Sequence, residues 1–262
     1  QKVNPHKLQK AEERVARLEG KLAECEAQLA DPAVYADAGK VADLRRGALA
    51  DVKVAISGGN LAGLTGGMLV KVETLSKDAS QIRLFHTSVG RENATWPTWP
   101  GEPGFTGDFA EFVAQRFPSS QSADFAVLEA GIVSEQTYVD QGLYWEKLHR
   151  PLLEYMVKTY QPDLALVGYP TTDEFQHQFL GLVSPTLPGG QANPAYDDVQ
   201  LDHVPDGLVR TRSGYIQSAY QGADRMMRLA QDLLDRTTKR GEGVATFVGS
   251  DHGFAPQFLA ID

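Results

Sequence analysis

The strongest constraint on this chain's fold is a repeating alternation in its second half. Residues 141–160 carry Leu143, Tyr144, Leu148, Leu152, Met156 and Tyr160 at helical spacing, and Gln161-Pro162-Asp163 then breaks the pattern before the apolar run Leu164–Val167. Residues 182–210 read as loop, a second long helical pattern covers 213–236 through Ile216, Ala219, Met226, Met227, Leu229 and Leu233, and the apolar run Val244–Val248 follows. Helices alternating with short, largely apolar runs predict an α/β fold in which a mainly parallel sheet is covered by helices in three layers. Upstream, Gln81–His86 and Asp124–Glu129 read as further strands, and residues 90–107, rich in Trp, Pro and Gly, as an irregular surface segment. The glycine-rich stretch Gly58–Gly67 lacks the Gly-Lys-Ser/Thr ending of a phosphate loop, so it reads as a plain loop.

The first fifty residues have a different texture. Leu8, Ala11, Val15, Leu18, Leu22, Cys25 and Leu29 alternate spacings of three and four, a heptad seam ending at Asp31-Pro32, and a short helix over about 38–48 follows. Residues 1–50 are therefore expected to form a helical coiled-coil hairpin able to mediate self-association, and residues 51–262 a separate α/β domain. The stretch 5–48, with Ala30-Asp-Pro-Ala-Val-Tyr-Ala-Asp37, resembles the C-terminal coiled-coil hairpin of ABC-F type ATPases. It carries no nucleotide-binding motif, so the resemblance implies no ATPase activity.

Charge and composition exclude several functions. A net charge of −9 disfavours binding to nucleic acid, which depends on Lys and Arg displacing counterions, and the near-balanced hairpin argues against a ribosome-binding appendage. No apolar run approaches the roughly 18 residues that a membrane span needs. A single cysteine, Cys25, rules out an intrachain disulfide and a cysteine-rich metal site, so a metal would have to be held by His and carboxylates. The opening Gln-Lys-Val-Asn-Pro does not read as a signal peptide, and the lack of an initiator Met with an end at Asp262 soon after an apolar run leads to the expectation of a fragment.

In open α/β sheets ligands sit beyond the carboxyl ends of the strands, and both apolar runs lead into metal-ligand residue types. After Leu164–Val167 come Asp173 and His177, four apart, which a helix would stack on one face. After Val244–Val248 come Asp251 and His252, adjacent, which a turn at Gly253 would allow to act together. Each pair alone is commonplace, but both occur at run ends in one domain. His6, His86, His149 and His203 lack a partner at ligand spacing and read as structural or solvated. Trp96, Trp99 and Phe105 are read either as lining a substrate mouth or as anchoring their own loop.

The stretches Asp173-Glu-Phe-Gln-His177-Gln-Phe-Leu-Gly181 and Ser250-Asp251-His252-Gly253-Phe254, with Pro162-Asp163-Leu-Ala-Leu-Val and Gly131–Tyr144, resemble the alkaline phosphatase superfamily, in its type I phosphodiesterase and nucleotide pyrophosphatase branch, over about 53–262. The resemblance implies a two-metal phosphoester hydrolase with a small phosphoester or nucleotide substrate. By it, Asp173 and His177 hold one divalent ion and Asp251 and His252 the other, with Zn²⁺ expected and Mn²⁺ compatible. It also allows an exported protein. The family pattern further requires an Asp on a first strand, a Thr or Ser nucleophile at a helix start and a later His ligand. The nucleophile is not found: Thr98 precedes Asp173 in the right order, but Trp96-Pro-Thr-Trp99 does not match the nucleophile motif. The rival reading is therefore a catalytically inactive hydrolase remnant serving as a scaffold or coiled-coil interaction protein.

Overall fold

A computed structural model describes residues 49–76, 81–119, 121–238 and 243–256. The heptad seam, the helix expected at 38–48, Cys25 and His6 lie outside the described residues. Within them the chain is mixed α/β, with strands β1 (Ala50–Ala55), β2 (Thr65–Leu75) and β3 (Ile82–His86) followed by helices α1 (Phe109–Arg116), α2 (Phe125–Glu129), α3 (Glu135–Tyr160), α4 (Thr171–Val183) and α5 (Val209–Thr237).

The sheet of the described residues is small and antiparallel, which corrects the parallel sheet expected from the sequence. β1 pairs with β2 from Ala50↔Val70 to Ala55↔Thr65, and β2 with β3 from Val70↔His86 to Leu75↔Ile82. The physical reason is connection length. The glycine-rich stretch closes a hairpin in which Gly63 donates to the Ile56 carbonyl at 2.8 Å and Ile56 to that of Leu64 at 2.9 Å, whereas a parallel pair needs a crossover of a dozen or more residues. The stretch is a loop only to Leu64, because Gly66 and Gly67 already belong to β2. Gly67 is needed there: a Cβ would lie 1.7 Å from the Ser119 hydroxyl. One face of the sheet buries Ala50, Met68 and Val70 against Val52, Val54, Val72 and Leu84.

Two helical clusters complete the core. α1 and α3 enclose Phe109, Phe112, Val113 and Leu148, and the aromatics of the 90–107 segment fold onto them. Trp96 meets Phe109 edge-on at 5.3 Å, Trp99 meets Phe112 at 5.0 Å, and the Trp99 indole donates to the Tyr155 hydroxyl at 3.0 Å. These aromatics anchor their own loop. The second cluster joins α3, α4 and α5 through Tyr138, Val139, Phe175, Phe179 and Ala219.

The long helices start earlier than their apolar spacing indicates. α3 begins where the Ser134 hydroxyl accepts the Thr137 amide at 3.2 Å, and it ends at left-handed Gln161 before Pro162. Residues 124–129, expected as a strand, form helix α2 instead, because the Asp124 carboxylate caps the Ala126 amide at 3.0 Å and no neighbouring strand competes for its backbone. The runs Leu164–Val167 and Val244–Val248 are likewise not strands of a ladder among the described residues. They remain open to solvent, Leu166 at 88% and Phe247 at 93%. No helix among the described residues is long and apolar enough to cross a membrane.

Candidate metal centre

The site is built where α4 begins. Two faces of this helix are used differently. Phe175 and Phe179, four apart, are buried against Tyr138, and Thr171 is buried with its hydroxyl donating to the Gly142 carbonyl at 3.1 Å. Asp173 and His177, also four apart, occupy the half-exposed face, with Asp173 Oδ2 3.6 Å from His177 Nε2. The segment 250–254 then comes alongside, placing His252 Nε2 3.4 Å from Asp173 Oδ1.

Asp173 is thus the hub, with an imidazole on each oxygen. Asp251 stands apart: its side chain is 89% exposed, with Oδ2 3.9 Å from His252 Nε2, and its Oδ1 accepts the His252 amide at 3.1 Å. Among the described residues, no three His, Cys, Asp or Glu side chains form a ready-made ligand cluster for a metal. Thr98, exposed in the turn closed by the Trp99 amide on the Trp96 carbonyl at 3.1 Å, has no hydrogen bond or ion pair with these four residues.

Hydrogen bonding around His252 defines its chemistry. Nδ1 lies 3.1 Å from the Gly253 carbonyl oxygen, which can only accept, so the proton is assigned to Nδ1. In the neutral ring Nε2 then carries a lone pair, and it faces Asp173 Oδ1, a buried oxygen with no hydrogen-bond partner. Positive charge between these two atoms, a proton on Nε2 or a metal ion beside it, turns the 3.4 Å contact from repulsive to attractive. An imidazole whose second nitrogen donates to a backbone carbonyl is also the usual arrangement of a metal-binding histidine. Carboxylate and imidazole are donor types that a divalent ion such as zinc accepts, and Asp173, His177 and His252 lie side by side here, while Asp251 stands apart from them.

The support of α4 was not read from the sequence. Just ahead of the helix, the Tyr169 hydroxyl donates to Glu146 Oε1 at 3.3 Å, and Arg225 grips both Glu146 oxygens at 3.0 and 2.6 Å. Tyr169 reaches this clamp through a notch at Gly222, where a Cβ would lie 1.8 Å from its hydroxyl. Burial, reinforced by the charge of Glu146, pushes the Tyr169 hydroxyl above its ordinary range. A glycine inside the long helical pattern of α5 was the one available signal. On α4 itself, burial raises the Glu174 carboxyl, although bonds from Ser122 and from the Ala123 amide oppose it. Of the other histidines, His149 stacks on Trp145 at 3.5 Å and burial holds its pKa down, a packing role.

The model of one family, type I phosphodiesterase / nucleotide pyrophosphatase, matches residues 81–259, and that span includes Asp173, His177, Asp251 and His252. No curated protein and no solved structure matches the chain, and the likeness of residues 5–48 to ABC-F hairpins gains no support from these comparisons. A match over more than half of the sequence settles descent, and the chain belongs to the type I phosphodiesterase / nucleotide pyrophosphatase family, a family of phosphoester hydrolases.

Proposed function

We propose that this chain carries the ligand residues of a two-metal phosphoester hydrolase, with Asp173 and His177 serving one divalent ion and Asp251 and His252 the other. The observation that carries the reading is the approach of His177 and His252, from separate pieces of chain, to the two oxygens of Asp173, whose buried Oδ1 accepts no hydrogen bond among the described residues. Divalent ions held by these donors would supply positive charge to offset that of the phosphoryl group. The chain's own contribution is placement. The α4 turn stacks Asp173 beneath His177, and the Gly253 carbonyl holds the His252 proton on Nδ1, leaving Nε2 as donor. Zn²⁺ is the expected ion and a small phosphodiester or nucleotide the expected substrate.

The test titrates the 262-residue chain with Zn²⁺ and assays it with a chromogenic phosphodiester. Zinc binding weakened in both Asp173→Ala and His252→Ala is expected, and any zinc-dependent hydrolysis should be lost with it. Turnover retained in both variants refutes the assignment. A second reading, a metal-binding relative without turnover, is favoured by one observation: Thr98, the hydroxyl weighed as nucleophile, stands exposed with no hydrogen bond or ion pair to Asp173, His177, Asp251 or His252. Zinc bound in a ratio set by Asp173 and His252, with no hydrolysis, would select it.

A further inference from the structure

Phe254 is half-buried between exposed Gly253 and Ala255, and its ring touches both imidazoles of the candidate centre. It meets His177 at 4.8 Å with ring planes at 80°, and His252 at 5.3 Å with planes at 59°. The two histidines come from unrelated pieces of chain, α4 and the segment after Val244–Val248, yet each turns Nε2 towards the same Asp173 carboxylate. Burial does not hold them, because both side chains are about half exposed. His252 has the Gly253 carbonyl to orient it, whereas His177 has no hydrogen bond among the described residues and only its ion-pair contact with Asp173. An imidazole so placed can turn about its Cβ–Cγ bond and present the wrong edge.

We propose that Phe254 is a positioning residue whose ring fixes the planes of His177 and His252 so that their Nε2 atoms face the two oxygens of Asp173, one each. The proposal rests on the metal-centre reading above. Aromatic rings prefer offset-stacked or edge-to-face arrangements to a face-to-face sandwich, because the ring edge is positive and its face negative, and Phe254 meets His177 edge-to-face and His252 at a tilt. A flat ring between the two imidazoles therefore sets their angle in a way that an aliphatic side chain of similar volume does not. The same contact ties segment 250–254 to α4, so that the second histidine arrives already oriented.

The experiment compares wild type, Phe254→Ala, Phe254→Leu, Phe254→Tyr and Asp173→Ala in the 262-residue chain. One readout, on metal-free protein, is the NMR shift of the Hδ2 and Hε1 protons of His177 and His252, which sense the nearby ring directly. The other is Zn²⁺ affinity by competition with a chromogenic chelator. Phe254→Ala is expected to move the signals of both imidazoles and to weaken zinc binding by about tenfold or more, the usual effect of removing a group that orients a metal ligand. Phe254→Leu, which preserves packing and hence folding, should weaken zinc nearly as much, and Phe254→Tyr should restore it. Zinc affinity unchanged in Phe254→Ala and Phe254→Leu, or signals that move for neither imidazole or for only one, overturns the role of Phe254. Wild type binding zinc no better than Asp173→Ala overturns the metal centre itself and this role with it.

Discussion

Gly142 offers a test of how α4 is seated, because the expected effect has the opposite sign to that of an ordinary helical glycine. A Cβ at this position would lie 2.4 Å from Phe175 Cε1, 2.8 Å from its Cζ and 3.2 Å from Thr171 Cγ2, where ordinary contact begins at 3.4 Å. The ring would have to retreat by a full ångström. It has nowhere to go, being fully buried between Tyr138 at 5.9 Å and Phe179 at 6.1 Å. Two terms compete in Gly142→Ala. Helix propensity favours alanine by about 1 kcal/mol, and overpacking of a closed core costs about 1–3 kcal/mol, towards the upper end where no neighbour can yield. The net is a loss of about 1–2 kcal/mol, or a melting temperature lower by about 2–8 °C at this size. Gly214 on α5 is the control, because it is exposed with no atom within 4 Å of its Cβ, so Gly214→Ala should raise the melting temperature by about 2–4 °C. Phe175→Leu removes the atoms that clash, so Gly142→Ala/Phe175→Leu should be more stable than the sum of the single changes by at least about 1 kcal/mol. Equal gains from Gly142→Ala and Gly214→Ala, or strict additivity in the double variant, would refute the packing described for α3 on α4.

Two further predictions concern charge. Burial alone would raise the Glu111 carboxyl, but bonds from the Thr65 hydroxyl, Gln115, the Thr65 amide and Arg91 outweigh it and hold the pKa at about 2 against an ordinary 4.5. A carboxyl lowered in the folded state stabilises fully above its unfolded pKa and loses that contribution as pH falls towards the folded one. Glu111→Gln should therefore flatten the stability profile between about pH 4.5 and 2, by on the order of 1–2 kcal/mol once solvent screening is allowed for; parallel urea-denaturation profiles for the two proteins would contradict this. Arg212 is 1% exposed and donates to Glu135 at 2.9 and 2.7 Å and to Asp206 at 2.6 Å, tying the start of α5 to that of α3. Arg212→Ala strands both carboxylates and should cost about 3 kcal/mol in urea denaturation, while Arg212→Lys, lacking the planar fork, should recover less than half. A loss under about 0.5 kcal/mol, the range of an inert surface change, would show the network to be idle.

How much of this was legible in the sequence depended on whether the deciding contact was local. The apolar spacing of Leu143, Leu148, Leu152 and Met156 marked α3 because a helix satisfies its own backbone, and Asp173 and His177 fall on one face for the same reason. Their meeting with His252 could be suspected from the two run ends, but the carboxylate-centred geometry, with Asp251 turned outward, depends on how segment 250–254 lies against α4. Residues 124–129 were misread because five residues hold too little periodicity to tell helix from strand, and one Asp124 cap decides between them. The clamp of Glu146, Tyr169 and Arg225 was invisible because its members come from three separate elements, leaving only Gly222 as a trace. The runs Leu164–Val167 and Val244–Val248 are the most instructive case. Their composition records that they are suited to burial, and the ligand-type residues follow just beyond them in sequence. A strand, however, is made by its neighbour's N–H and C=O groups as much as by its own side chains. Among the described residues neither run has such a neighbour, and their exposed leucines and Phe247 mark the difference between a preference for burial and a partner that provides it.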